Sequence, residues 1–396
     1  MKKPMSIKYP KIYLVLDNCF ALKRWVEPAE WMKITKEIGF DYVEASFDNE
    51  IDFLYAPDSY IEEWFYTLKE CEDQYGVKVV NFHTGYQTYR TIGLAHSNQA
   101  YVDGLENIWF KKAIDKLSKR GNGLGFAFHA VPDNKMKSKA AYRESEDQVR
   151  DSLNRLCDYA DQVGGTCKLS IEAMYAPHQP PWTIATTKEY LNYNPDLYIT
   201  VDVGHMIGQK KFQFPSLDEV EQAVNERKKL EKPSFVLFSQ KACETWEQLK
   251  AKDTVAKEEI DTFYKLILED DYLYSKDARD ADPYAWLEEL GCYSPIIHLQ
   301  QTNGISASHA AFTTETNRTG IIEPKKVLQA IKASYEKAHE NLLYEEEKKV
   351  EAIYLSFEIF SSNTDTTQEI KDRLKETFDY WRQAVPADGL SLDELV

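Results

Sequence analysis

Short apolar runs alternate with longer amphipathic segments along the chain. The runs are rich in β-branched and aromatic residues, and several are apolar almost throughout, which is typical of parallel strands buried on both faces. The pattern predicts eight strands, at residues 12–16, 42–46, 77–82, 125–130, 168–173, 197–203, 295–299 and 352–357.

The segments between the strands have apolar residues at helical spacing. One of them has its apolar positions at the i, i+3, i+4 and i+7 sites of a helix: Ile61, Trp64, Phe65, Leu68 and Cys71. The same spacing recurs in residues 149–163 and 370–381, so we expect amphipathic helices that pack one face on the core. Gly39 and Gly76 stand where two of these helices are predicted to end.

Strands that alternate with helices predict a parallel sheet with right-handed crossovers, and eight strands are the number that closes a barrel. An open, doubly wound sheet is the competing fold. It is disfavoured because no predicted strand leads into a GxGxxG or GxxxxGK[ST] loop. The predicted fold class is therefore α/β, as a (β/α)8 TIM barrel.

One connection is much longer than the others. Residues at about 206–292 separate strand six from strand seven, are highly charged, and have the pattern of two or three helices. We expect a single domain over residues 1–396 with a helical insertion here, on the barrel face that holds active sites. A lid, an oligomer contact and a solvated helical decoration are open interpretations of this insertion.

Composition limits the class of protein. A hydrophobic fraction of 43% supports a large core, while a net charge of -17 disfavours nucleic acid as a partner. The apolar run near the N-terminus is too short for a signal peptide or a membrane span. The six cysteines form no CxxC pair, which favours free thiols over disulfides. We therefore expect a soluble cytoplasmic protein with no membrane partner.

Polar side chains end six of the eight predicted strands. They are His83, His129, Glu172, Asp202, His298 and Glu358, on strands three to eight in that order. The C-terminal ends of barrel strands face the active site. A single residue of this kind is best explained by a structural hydrogen bond, but six that converge favour a metal or acid/base site.

The residue types narrow the choice of metal ion. Glu172, Asp202, His298 and Glu358 offer three carboxylates and one imidazole. This donor set suits a divalent ion, with Mn²⁺ as the first choice and Mg²⁺, Co²⁺ or Zn²⁺ as alternatives. A structural zinc site is disfavoured because paired cysteines are absent from the sequence. His205, three residues after Asp202, could ligate, orient or contact substrate.

The order of these residues resembles the xylose isomerase-like TIM-barrel superfamily, a sugar isomerase and epimerase group that also contains endonuclease IV. The segments that carry the resemblance are residues 171–173, 201–205, 297–298 and 356–358. The resemblance implies that Glu172, Asp202, His298 and Glu358 are metal ligands, as in the ketose epimerases. It further implies that Glu172 and Glu358 are catalytic and exchange the proton of a sugar carbon, and that His205 contacts substrate oxygens.

The activity implied by this resemblance is divalent-metal-dependent isomerisation or epimerisation of a sugar, sugar acid or sugar phosphate through an enediolate. A metal-dependent lyase or decarboxylase of an oxo sugar acid is the alternative on the same barrel. Two remote alternatives are a non-catalytic sugar-binding protein and an endonuclease IV-like DNA repair enzyme. His83 and His129 match additional zinc positions of the endonuclease branch, but Gln300-Gln301 replaces its Asp-x-His pair.

Further residues are candidates for contacts with a small carbohydrate substrate. The predicted substrate-binding residues are His83, His129, His205, Gln300, Asn303, His309 and Arg318. Asp17, Asn18 and Glu44, on strands one and two, are candidates for additional polar contacts. A homo-oligomer is expected from the family resemblance alone.

Overall fold

The computed structural model describes residues 7–22, 24–49, 51–85, 93–126, 131–338 and 342–396. Its strands, numbered in chain order, are β1 Lys11–Asp17, β2 Tyr42–Ser46, β3 Lys78–Thr84, β4 Gly123–Phe126, β5 Leu169–Glu172, β6 Leu197–Asp202, β7 Ile296–Leu299, β8 Ala352–Phe357 and β9 Leu390–Ser391. All eight predicted strands are present, although residues 127–130 of the fourth lie outside the described residues.

The first eight strands form a closed parallel barrel. Consecutive strands pair in parallel from β1 through β8, and β8 returns to pair with β1 over six residues. The pairing of β1 with β2 covers only Leu16 and Asp17, at the C-terminal end of β1. The two-residue strand β9 pairs antiparallel with the start of β1 and was not predicted, because two residues carry no periodic signal. The predicted (β/α)8 barrel is confirmed.

Helices surround the barrel. Within the described residues, the α-helices are Pro28–Ile38, Asp58–Tyr75, Gln99–Gly104, Lys111–Arg120, Lys139–Gln162, Ile184–Leu191, His205–Gln209, Leu217–Glu226, Gln240–Ala251, Lys257–Glu269, Pro283–Leu290, Pro324–Glu336, Glu345–Lys348, Thr367–Arg382 and Leu392–Leu395. A π-helical turn, Leu105–Phe110, joins two of them. The five apolar residues predicted to form one face of Asp58–Tyr75 are all buried, so the helical spacing identified the inner face.

The connection between β6 and β7 builds a second hydrophobic cluster of its own. The helices Leu217–Glu226, Gln240–Ala251 and Lys257–Glu269 bury their apolar faces against one another. Phe238 packs against both this cluster and the barrel core. The segment is helical as expected, while its assignment as an insertion into a single domain stays a prediction.

The six cysteines are free, and all except Cys243 are buried. No helix within the described ranges is both long enough and apolar enough to cross a membrane. The cytoplasmic location, the lack of a nucleic-acid partner and the homo-oligomeric state stay predictions.

Candidate metal centre

The register of the barrel brings the strand-end residues to one level. Asp202 of β6 lies opposite His298 of β7, and Asp17 of β1 lies opposite Glu44 of β2. Glu172 ends β5, and Glu358 directly follows β8. Because all eight strands run in the same direction, these side chains converge at the C-terminal mouth of the barrel.

Four residues form the inner group of this site. Glu172, Asp202, His298 and Glu358 each present a ligand atom, and these atoms all lie within 4.8 Å of one another. His298 Nδ1 is 3.2 Å from Glu172 Oε1 and 3.4 Å from Glu358 Oε2. Asp202 and His298 are almost completely buried. The structure thus brings together the four residues that the sequence analysis proposed as ligands.

His205 lies on the β6 side of the inner group. Its Nε2 is 3.3 Å from Asp202 Oδ2, and its Nδ1 is 3.0 Å from the backbone oxygen of Ala173. The same Nδ1 is 3.6 Å from Glu172 Oε1. The ring centroid of Tyr175 lies 3.9 Å from that of His205. Carboxylates and an aromatic ring therefore fix this imidazole from several sides.

Gln300 connects Asp202 to the loop after β7. Its side-chain Nε2 donates to both carboxylate oxygens of Asp202, at 2.9 and 3.0 Å, and its Oε1 accepts from the backbone N–H of His309 at 2.6 Å. Gln300 is completely buried. A Cβ at Gly204 would lie 2.2 Å from the Gln300 amide carbon, so only glycine leaves room for this contact. Gln300 therefore holds the carboxylate of Asp202 and the backbone of His309 in position.

His309 faces the inner group in a strained backbone conformation. Its φ of 46° is in the left-handed region that non-glycine residues rarely occupy. Its Nδ1 lies 3.4 Å from Glu358 Oε2, and its ring is 4.3 Å from that of Phe360. Tyr175 contacts its other nitrogen at 3.5 Å. Gln300 and these contacts hold the ring at the mouth.

A second group lies beside the first, on β1 to β3. His83 Nδ1 is 3.7 Å from Asp17 Oδ2 and 3.6 Å from Glu44 Oε1. Glu44 also accepts a hydrogen bond from Asn81 Nδ2 at 2.7 Å and contacts His298 Nε2 at 3.1 Å. His298 therefore belongs to both groups, with one ring nitrogen in each.

The carboxylates raise the pKa of the histidines among them. Burial by itself lowers the pKa of an imidazole, but Glu358 outweighs burial and raises the pKa of His309 to about 9. Asp17 and Glu44 raise the pKa of His83 to about 10 in the same way. The carboxylates at the mouth of the barrel therefore favour the protonated, positively charged forms of His309 and His83.

The pKa values of the carboxylates differ with their neighbours. Burial raises the pKa of Asp17 to about 7 and that of Asp202 to about 6, against the opposing effect of nearby imidazoles. Burial also opposes ionisation of Glu358, but His309 and His298 outweigh it and lower the pKa of Glu358 well below its usual range. Burial likewise opposes ionisation of Glu44, but His298 and His83 outweigh it and lower the pKa of Glu44 far below its usual range, so negative charge is favoured on both the β8 and the β2 sides of the site.

These residues fit a divalent cation. Three carboxylates and one imidazole provide hard oxygen ligands with one borderline nitrogen, a set suited to Mn²⁺ and similar ions. Among the described residues, the buried Glu358 Oε2 has no hydrogen-bond donor, and its charged neighbours are the imidazoles of His298 and His309, each 3.4 Å away. A buried carboxylate oxygen is costly unless it is hydrogen-bonded, ion-paired or bound to a metal. A cation held by the inner group would satisfy this atom.

A cavity of about 230 Å³ opens directly onto the inner group. Its described lining consists of Cys19, Leu22, Ser46, Asp48, His83, Gly85, Glu172, Met174, Tyr175, His205, His309, Glu358 and Phe360. This volume is below the 300–1,000 Å³ of pockets for drug-sized ligands. The cavity therefore suits a small molecule.

The predicted substrate-binding residues differ in their position relative to the cavity. His83, His205 and His309 line the cavity. Asn303 and Arg318 are exposed and are not among its described lining residues, and Gln300 is buried behind it. His129 lies outside the described residues.

Glu44 and Asp17 lie in this site although they are not among the predicted metal ligands or substrate-binding residues. Glu44 is the one charged residue of the strand Tyr42–Ser46 and is completely buried. That position was the available signal, because a buried carboxylate within a strand requires partners. The structure supplies them from β3 and β7.

The fold and the clustered carboxylates and histidines define a TIM barrel with a candidate metal site at the ends of its strands. A family model described as xylose isomerase-like TIM barrel matches residues 32–231. The chain belongs to this family, as the sequence resemblance implied.

Solved structures of the same fold extend over nearly the whole chain. A candidate xylose isomerase from Rhodospirillum rubrum superposes with a TM-score of 0.64 at 16% identity, over 94% of this chain and 99% of that one. D-psicose 3-epimerase from Clostridium cellulolyticum H10, solved with D-tagatose, gives 0.54 at 11% identity, over 94% and 98%. D-allulose 3-epimerase from Methylomonas sp. gives 0.53 at 12%, over 96% and 99%. At these identities the likeness shows the fold.

A curated relative has a local match. D-erythrulose 1-phosphate 3-epimerase from Brucella abortus (strain 2308) is 39% identical over 56 residues. The match covers 14% of this chain and spans 18% of the length of that relative.

Proposed function

We propose that this protein is a divalent-metal-dependent epimerase or isomerase of a small sugar or sugar derivative. The observation that carries the proposal is the convergence of Glu172, Asp202, His298 and Glu358 beside a small cavity. The names of the relatives support the reaction class, since the curated relative and two of the structural relatives are sugar 3-epimerases.

Glu172 and Glu358 are the proposed acid/base pair. They come from β5 and β8 and both line the cavity. One carboxylate removes the proton from the carbon beside a substrate carbonyl, which leaves an enediolate, and the other returns a proton. Return to the opposite face of the same carbon inverts its configuration, whereas return to the neighbouring carbon interconverts aldose and ketose.

Glu172, Asp202, His298 and Glu358 are the residues that would hold the metal ion, with Mn²⁺ as the first candidate. When bound, a divalent ion polarises a carbonyl and its neighbouring hydroxyl and stabilises the negative charge that develops there. We expect His205 and His309 to contact substrate hydroxyls, because both line the cavity within reach of the acidic residues. Tyr175 and Phe360 offer aromatic surface to the apolar face of a sugar.

The cavity lining bears on the charge of the substrate. The described lining residues include acidic side chains and histidines but neither Lys nor Arg. Phosphate recognition draws on cationic side chains or backbone N–H groups. An unphosphorylated ketose is therefore the first substrate to test, although the curated relative is named for a sugar phosphate.

The experiment is a screen of metal-free protein, with and without added Mn²⁺, against ketoses, ketose phosphates and oxo sugar acids in D₂O. We expect Mn²⁺-dependent formation of an epimer or isomer, with deuterium incorporated at the carbon that exchanges its proton. Release of CO₂ would instead indicate a decarboxylase on the same barrel. Binding of a sugar without turnover, and with no effect of Mn²⁺, would contradict the proposal.

A further inference from the structure

Among the described residues, His298 is the one imidazole that belongs to both the inner group and the second group. Its Nδ1 lies among the proposed ligands, 3.2 Å from Glu172 Oε1, while its Nε2 lies 3.1 Å from Glu44 Oε2. A neutral imidazole carries one proton and one lone pair, so the partner of one nitrogen decides what the other can do. Glu44 therefore controls which nitrogen is available to a cation.

Glu44 is itself held in place from the neighbouring strand. Asn81 Nδ2 donates to Glu44 Oε1 at 2.7 Å, which leaves Oε2 to face His298. Asn81 is confined in turn, because a Cβ at Gly123 would lie 2.7 Å from its Oδ1. Glu44 is completely buried and Asn81 nearly so. A series of close contacts thus leads to His298 of β7: it starts at Gly123 of β4 and passes through Asn81 of β3 and Glu44 of β2.

We propose that Glu44 is a positioning residue that accepts the Nε2–H of His298 and so directs Nδ1 toward the divalent ion. This inference rests on the proposed metal dependence. A carboxylate that accepts from the second nitrogen of a metal-bound histidine fixes its tautomer and ring orientation, and loss of such a partner typically weakens metal binding 10–100-fold. Glu44 is not a member of the inner group; it belongs with Asp17, His83 and His298 to the second group, whose ligand atoms also lie within 4.8 Å of one another.

The first test is calorimetric titration of the metal-free full-length chain with Mn²⁺. We expect Glu44→Gln to bind Mn²⁺ about 10–100-fold more weakly than the wild type. Glu106→Gln is the matched control, because Glu106 is also buried but pairs with Ser152 and Arg155 of the outer helix Lys139–Gln162. Equal Mn²⁺ affinities for the wild type and Glu44→Gln would overturn the role of Glu44.

The second test does not depend on the folding of Glu44→Gln. In wild-type protein labelled with ¹⁵N-histidine and loaded with Zn²⁺, the ring of His298 is expected to carry its proton on Nε2, with Nδ1 unprotonated. The signals are assigned by their loss in His298→Gln. A proton on Nδ1 would overturn the inference even if Glu44→Gln does not fold. A wild-type chain that binds neither ion would overturn the proposed metal dependence itself, a result distinct from equal affinities in the titration.

Discussion

Two acidic regions of this molecule balance their charge in opposite ways. On the outer layer, Glu289 accepts from Lys188 at 2.7 Å, from Lys337 at 2.7 Å and from Arg279 at 2.9 Å. At the mouth of the barrel, five carboxylates converge with four histidines. Among the described residues, neither Lys nor Arg lines the cavity at this mouth.

The difference separates a structural ion-pair network from a candidate functional site. Although burial opposes ionisation of Glu289, Lys188 and Lys337 outweigh it and lower its pKa to about 2. Around Glu289, the counter-charges come from Lys and Arg side chains, which stay protonated near neutral pH. At the mouth, the counter-charge comes from imidazoles, whose charge depends on bound protons; among the described residues, Glu358 Oε2 has His298 and His309 at 3.4 Å but no hydrogen-bond donor. Of the two regions, the mouth is therefore the candidate for taking up an additional cation.

Removal of divalent ions is expected to have the largest effect. Treatment with a chelator should reduce turnover to background, and added Mn²⁺ should restore it. The chelated protein should also unfold at lower temperature, because a ligand at 100 times its Kd stabilises the native state by about 2.7 kcal/mol. Activity assays and differential scanning calorimetry measure the two effects. Full activity after removal of all detectable metal would contradict the interpretation that the mouth, unlike the Glu289 network, binds a functional cation.

Substitution of either proposed acid/base residue should have the next largest effect. Glu172→Gln and Glu358→Gln are each expected to lower kcat about 10²–10⁴-fold at saturating Mn²⁺, since each removes one proton-transfer group. Circular dichroism should show an unchanged fold. Glu269→Gln, on an exposed helix end, is the control and should keep normal turnover. Near-normal kcat in both site variants would refute their roles.

Glu289→Gln should lower stability without affecting the metal site. We expect a loss of about 1–2 kcal/mol at pH 7, because three cations lose a charged partner and part of that network is exposed to solvent. The folded-state pKa of Glu289 lies below its ordinary value of 4.5. Its stabilisation is therefore complete above pH 4.5 and is lost as the pH falls toward 2.

Urea unfolding of the wild type and Glu289→Gln between pH 3 and 7 measures this dependence. The difference in unfolding free energy should shrink as the pH falls below 4.5. Glu288→Gln is the matched control, since Glu288 is half-exposed and lies 3.8 Å from Arg279; it should cost less than about 0.5 kcal/mol. A constant difference across the pH range would show that the carboxylate charge is not responsible.

The smallest effects are expected at the two exposed loop residues. Asn303→Ala and Arg318→Ala should change kcat/KM less than about two-fold, because neither side chain is among the described lining of the cavity. His309→Ala, on the same loop but in the cavity, should lower kcat/KM by more than either. Steady-state kinetics decide this, and a large effect of Arg318→Ala would mean that the loop moves onto the substrate.

Much of the barrel could be predicted because its signals are local. Buried parallel strands produce apolar runs that are visible within five or six residues, and the polar residue that ends each run stands next to it in sequence. This is why Glu172, Asp202, His298 and Glu358 were recognisable as a set. The strand β9 could not be predicted, because two residues carry no periodic signal. The burial of the Gln300 side chain behind the cavity could not be predicted either, because the direction of that side chain depends on residues distant in the sequence.

The sequence by itself determined the number of barrel strands, the inner faces of several helices and the residues at the strand ends, because each depends on a short-range periodicity. Only the tertiary structure decided which side chains touch. Glu44 and His298 are 254 positions apart in the chain, and they meet because the barrel closes and its register sets the level of each strand. The same closure places Gln300 against Asp202, where it orients the site, and leaves Asn303 and Arg318 exposed.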